Sequence, residues 1–195
     1  MFLPNKYERY IAALRNYLHN LYNKKNNNKN IALRFKKIYE FEALFLNIDK
    51  LPCDVKLLSS KVLIHIYSKL IYKNINLDFT VKVKKNYILN IKLFTIVLTM
   101  LAVNSKYIKV CESESKIIIK CETNMKLKNK YLKGLNAYSF YDIRKNILLI
   151  VINAQITNKK SVEIKEEWDI LNPFSPINLI LSEWQWKHNS KNSRN

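Results

Sequence analysis

Glycine is nearly missing from this sequence: 195 residues contain one, Gly134, alongside four prolines. That shortage excludes glycine-rich loops of the kind that wrap phosphates with backbone amides, as well as Gly/Ser linkers and Pro-rich segments. Cysteine and histidine are scarce too. Cys53, Cys111 and Cys121 are an odd set with no C-x-x-C pair, and only His19, His65 and His188 accompany them. That pattern argues against a disulfide framework or a structural zinc site, and no metal or cofactor is expected. There is no long hydrophobic run: the strongest, Leu93 to Val103, is about half a membrane span. The amino end, MFLPNKYERY, lacks the apolar core of a signal peptide. These absences point to a soluble cytoplasmic protein with no membrane partner. Acid is also short, with 15 Asp and Glu against 34 Lys and Arg, a formal charge of +19.

What is present is ample apolar material, 48% hydrophobic and 12% aromatic, enough for a real core at the upper size of one ordinary domain. The basic surplus suits a polyanion or an acidic protein surface as partner. Abundant Lys, Asn and Ile equally fit the coding bias of an AT-rich genome, and both readings stand at this point.

Apolar residues Tyr7, Tyr10, Ile11, Leu14, Leu18 and Leu21 recur at helical spacing, and a second helical pattern runs from near Ile31 to about Ile48 after the polar loop KKNNNKN. Together they predict an antiparallel hairpin. After Leu51-Pro52-Cys53, Asp54 is a candidate N-cap for a third helix reaching about Tyr72. Leu77, Phe79, Val81 and Val83 alternate as a strand, and an apolar helix follows from about Leu89 to Ser105. Tyr107 to Cys111 and Lys116 to Glu122 read as a β-hairpin around the turn ESES. Lys126 to Leu135 and Ala137 to Lys145 are expected to be helical, Ile147 to Ala154 and Val162 to Glu166 extended. The stretch after Glu167 has no assigned structure, and KHNSKNSRN reads as disordered. The fold class is therefore α+β, with a mixed sheet and helices on one face. Three regions are expected: a hairpin over 1–50, an α/β domain over 51–183 and a basic tail over 184–195.

This order of elements resembles the dimerisation and ATPase domains of bacterial sensor histidine kinases. VLTMLAVNSKYIKV, Val97 to Val110, is similar to the kinase N box, in which an Asn on an apolar helix holds magnesium beside nucleotide; Asn104 stands in that place. The following strand, IIIKCETNM, has neither the Asp nor the glycines of the kinases' adenine motif, so the resemblance implies a degenerate ATPase-like sandwich that binds no ATP. Such a fold is similar to the histidine phosphotransferases of the ChpT type and, more distantly, to the sporulation phosphotransferase. The likeness is best from about Asp54 to Lys165, as a pattern of apolar blocks that includes CETNMKLKNKYLKGL and NAYSFYDIRKNILLIVINA.

The resemblance implies a homodimer whose hairpins form a four-helix bundle. It also implies a phosphorelay between the receiver domains of response regulators and a hybrid kinase. His19, in NYLHNLYN, takes the place of the phosphoacceptor; Asn20 stands where the family usually carries Asp, and Asn23 lies one turn on. A neutral imidazole can attack an aspartyl phosphate, and Asn20 can orient the ring but supplies no charge. Arg15, one turn before His19, and Lys24 and Lys25 after it are the expected docking residues for an acidic receiver. Whether the chain is an active transferase or a scaffold is left open. His65, beside the stripe of the third helix, reads as a structural histidine.

A second reading, a noncatalytic nucleic-acid-binding or ribosome-associated protein, rests on basic residues interleaved with aromatics. These are Arg34, Lys36 and Lys37 beside Phe35 and Tyr39, and Trp184, Trp186 and Lys187 near the end.

Overall fold

A computed structural model describes residues 13–18, 20, 29–46, 50–71, 75–162, 172 and 175–192. Residues 13–18 are helical, and Leu18 is buried. Helix α1, Lys29–Phe41, buries Ile31, Ala32, Phe35, Ile38 and Tyr39, the stripe that the sequence spacing marks. Its expected continuation to about Ile48 is instead a widened π-helical turn over Glu42–Leu46. Strand β1, Leu51–Asp54, leads directly into helix α2, Val55–Ile71. Asp54 caps that helix as expected, its Oδ1 accepting the Leu57 N–H at 2.8 Å.

Strands β2, Asp78–Lys82, and β3, Asn86–Leu89, precede helix α3, Ile91–Ala102. Every residue of α3 except Lys92 is buried, which is why the sequence is apolar around its whole circumference rather than along one stripe. The two threonines inside it hide their hydroxyls by donating one turn back, Thr95 to Ile91 O at 2.9 Å and Thr99 to Thr95 O at 2.8 Å. Strands β4, Ser105–Ser113, and β5, Lys116–Thr123, form the expected hairpin, turning at Glu114 with φ 55°. Helix α4, Asn129–Gly134, strands β6, Ala137–Asp142, β7, Ile147–Asn153, and β8, Gln155–Thr157, and helix α5, Pro176–Asn192, complete the described chain.

The strands make two sheets. Five are ordered β2-β4-β5-β7-β6, with β2 and β4 parallel and all other neighbours antiparallel. The parallel pair needs a crossover, and α3 lies within it. The other three, β1-β3-β8, form a small antiparallel sheet. α3 packs on β4 and also meets α2 and α5, while α5 in turn packs against α1.

Four expectations need correction. Ala137 to Lys145 is not a helix: Ala137–Asp142 is the edge strand β6, and Asn136 and Asn146, with φ of 54° and 53°, turn the chain on either side of that strand, Asn146 within the β6–β7 turn. Its Tyr, Phe and Tyr gain more from cross-strand pairing with β7 than from an isolated turn of helix. The strand after β7 is Gln155–Thr157, paired with β3, rather than Val162 to Glu166; Val162 is in coil, and 163–166 lie outside the described residues. β1 and β3, four residues each, went unassigned. The tail is helical through Asn192, not disordered, with Trp184 buried. Ser175 and Pro176 are its start signal: Ser175 Oγ accepts the Asn178 N–H at 3.4 Å, and Pro176 fills the first helical position, where no amide is needed.

Candidate functional site

The end of α3 carries the residues that resemble a nucleotide site. Asn104 is exposed just past the helix, and its Nδ2 donates to Met100 O at 2.8 Å and approaches Met125 Sδ at 3.7 Å. Thr123 Oγ1 donates to Asn104 O at 2.7 Å and accepts the Met125 N–H at 3.1 Å, while Ser105 Oγ donates to Leu101 O at 2.6 Å. The amide, the hydroxyls and the loop backbone at this point are thus engaged with one another, closing the helix terminus on the strand that follows. Among the described residues, no carboxylate hydrogen-bonds to the cluster. Among the described residues, no three His, Cys, Asp or Glu side chains gather as a metal ion would require.

Beyond Met125 a cleft of about 270 Å³ opens between the β5–α4 connection and the β6–β7 hairpin, lined by Lys126, Leu127, Ser139, Tyr141, Ile143 and Leu148. The Lys126 ammonium lies 5.7 Å from the centre of the Tyr141 ring. Half of the lining, Lys126, Ser139 and Tyr141, carries polar groups.

The amino-terminal residues are held by charge. Arg15 Nη1 lies 3.2 Å from Glu42 Oε2, and its guanidinium sits 5.8 Å from the Tyr39 ring centre. Lys92 of α3 also pairs with Glu42. Glu40 meets Lys36 at 3.6 Å and Lys130 of α4 at 3.8 Å. Lys36 further pairs with Glu183 of α5, which Lys187 reaches at 2.7 Å. Burial alone would raise the Glu183 carboxyl, but hydrogen bonds from Lys187 and Lys36 hold it below the ordinary carboxylate range. Asn90 adds a neutral tie, capping α3 through the Leu93 N–H at 3.0 Å and donating to Ala43 O in the π turn at 2.8 Å.

The expected site residues fare unequally. Asn20 is exposed on helical backbone. Arg15, expected to meet a receiver, is set against Glu42 and Tyr39 with 17% of its side chain exposed. His19, Asn23, Lys24 and Lys25 lie outside the described residues. His65 is a structural histidine, its Nε2–H donating to Asn178 Oδ1 at 2.8 Å and so tying α2 to the first turn of α5. In the basic-aromatic groups most aromatics are packed and the charges divide between ion pairs and solvent. Phe35, Tyr39 and Trp184 are buried, Lys36 is ion-paired, and Lys29 stands 5.8 Å from the ring centre of Trp186, while Arg34 and Lys37 face solvent. Two of the three thiols are raised: burial, with Asp54 adding, pushes Cys53 up to about 12, and burial pushes Cys121 up to about 11.

No protein-family model matches this sequence, and no curated protein sequence matches it. Among solved structures, the histidine kinase AdeS of Acinetobacter baumannii superposes with a TM-score of 0.43 at 12% identity, over 80% of this chain and 88% of that one. Among the described residues, no helix is long and apolar enough to cross a membrane.

Proposed function

We propose that this chain is a phosphorelay protein, a histidine phosphotransferase that passes phosphoryl groups between receiver domains and binds no ATP. The observation that carries the reading is the closed cluster at Asn104, Thr123 and Met125. Where the kinase resemblance puts magnesium and nucleotide, Asn104 Nδ2 and the Thr123 hydroxyl hydrogen-bond to neighbouring backbone. With the element order, that closure fits a kinase-type domain turned from catalysis to docking. In the relay the neutral His19 imidazole attacks the phosphorus of a receiver's aspartyl phosphate. The P–O bond to the carboxylate breaks, the Asp leaves as carboxylate, and the ring sheds its proton. The reverse exchange loads a second receiver. Asn20 orients the ring, and Asn23, Lys24 and Lys25 complete the docking face with the basic surface, which speeds encounter with an acidic partner. Arg15 would join them only by loosening its pair with Glu42. The apolar stripe of α1 is packed against α5 of the same chain, so self-association is not required to bury it.

The test is transfer without nucleotide. A receiver domain labelled by a small-molecule phosphodonor should pass label to this protein, as an acid-labile and base-stable bond. His19→Ala should abolish the label and His65→Ala should keep it. Transfer that survives His19→Ala, no label from any receiver of the source organism, or micromolar binding of magnesium-ATP in calorimetry would each overturn the reading.

A further inference from the structure

The five-stranded sheet packs the centre of one face into the core and leaves the other partly open, with Val151 buried but Lys120, Tyr138 and Phe140 exposed. Ile108, Val110, Ile117, Ile119, Ile150 and Ile152 form the closed face, each fully buried. Strand alternation sends their neighbours to the other side, where the register lines them up across the strands. One row runs Phe140, Leu149, Lys120, Lys109 and Thr80; the next runs Tyr138, Val151, Ile118, Cys111 and Lys82. The acids of this face, Asp142, Glu122 and Asp78, all fall in the row on the far side of Phe140.

Two features of the open face work against folding. Lys109 and Lys120 are directly opposite on adjacent antiparallel strands, an arrangement that repels, and neither has an ion-pair partner among the described residues. Phe140 is 61% exposed and Tyr138 41%, their rings 5.6 Å apart and edge to face. Large aromatics on an edge strand are also an invitation to aggregate.

One kind of ligand resolves both. An anion between the two lysines converts their repulsion to attraction, and a flat ring beside it covers Phe140. Phosphates and accessible planar rings recur together along a single nucleic-acid strand; in a duplex the rings are hidden, and an acidic peptide brings charge without rings. We infer that the open sheet face binds single-stranded nucleic acid, with backbone phosphate at Lys109 and Lys120 and a base stacked on Phe140. Lys82 extends the phosphate track, and the acids of the outer row limit it on the other side. This surface stands independently of the relay and of His19.

Fluorescence anisotropy with labelled oligo(dT) and oligo(U) of about a dozen nucleotides, titrated at several salt concentrations, tests this directly. Affinity should fall with salt, and replacing both Lys109 and Lys120 by Ala should lower the slope of log K against log salt by about 1.4, roughly 0.7 per phosphate contact on a single strand. Phe140→Ala should weaken binding roughly 5- to 150-fold and leave the slope unchanged. Lys120→Glu separates binding from folding: it should abolish binding yet raise Tm by about 1 to 3 °C, since it puts opposite charges face to face. His19→Ala should bind like the wild type. The inference fails if Phe140→Ala binds unchanged, or if a duplex or polyglutamate of equal charge binds as tightly as the single strand.

Discussion

Gly134 is the sequence's single glycine, and it is placed where α4 meets α3 rather than in a turn. A Cβ there would lie 2.4 Å from Leu93 Cδ2, and Leu93 has no exposed surface into which it could retreat. The tight turns use Glu114, Asn136 and Asn146 at positive φ instead, two of the three being asparagine, which tolerates that region best among side-chain-bearing residues. Gly134→Ala should gain up to about 1 kcal/mol of helix propensity and lose about 1–3 kcal/mol to overpacking, for a net loss. Urea unfolding should show a lower midpoint at unchanged slope. Asn104 teaches the same lesson about position. Its apolar helix and its place at the helix end were readable, but the acceptors that engage it, Met100 O one turn back and Met125 from beyond β5, appear only in the fold.

Elements with strong period are legible in the sequence. The sequence pattern marks α2, α3 and the β4–β5 hairpin to within a few residues, because each carries a long run of one spacing or a polar turn between two β-rich runs. The short strands were not legible. β1 contains a proline and β3 only four residues, so neither shows alternation, and each exists because the other pairs with it. β6 read as a helix because Tyr, Ser and Phe serve either structure until β7 lies alongside. For α5, Ser175-Pro176 and apolar residues at 177, 180, 181 and 184 were available as signals, masked by the prolines around them. That helix is fastened to α1 by Glu183. Because its folded pKa is depressed, the stabilisation is present above the ordinary carboxylate value of 4.5 and is lost as pH falls below it. Hydrogen exchange should therefore show α5 amides losing protection ahead of the sheet as pH falls below 4.5, and Glu183→Gln should flatten that response.

At the scale of the whole molecule, composition gave the charge but not its placement. Acids at Glu40, Glu42 and Glu183 are turned inward onto Lys36, Lys92, Lys130 and Arg15, which leaves the remaining lysines of the surface with few counter-charges. The open sheet face could not be read from sequence, since its aromatics and lysines come from separate strands and meet only through register. The small sheet sets a further condition, on the order of assembly. Its three strands begin at residues 51, 86 and 155, so β8 reaches β3 only after some 65 residues of intervening chain have been organised. Local turns and the β4–β5 hairpin have no such entropy to overcome, and topology of this kind slows folding more than it weakens the product. In pulsed hydrogen exchange during refolding, amides of β4 and β5 should gain protection first and those of β8 last. A chain still emerging from the ribosome would thus expose β3 as an unpaired edge until residue 157 has been made, a window in which the nascent protein depends on its own charge to stay apart from its neighbours.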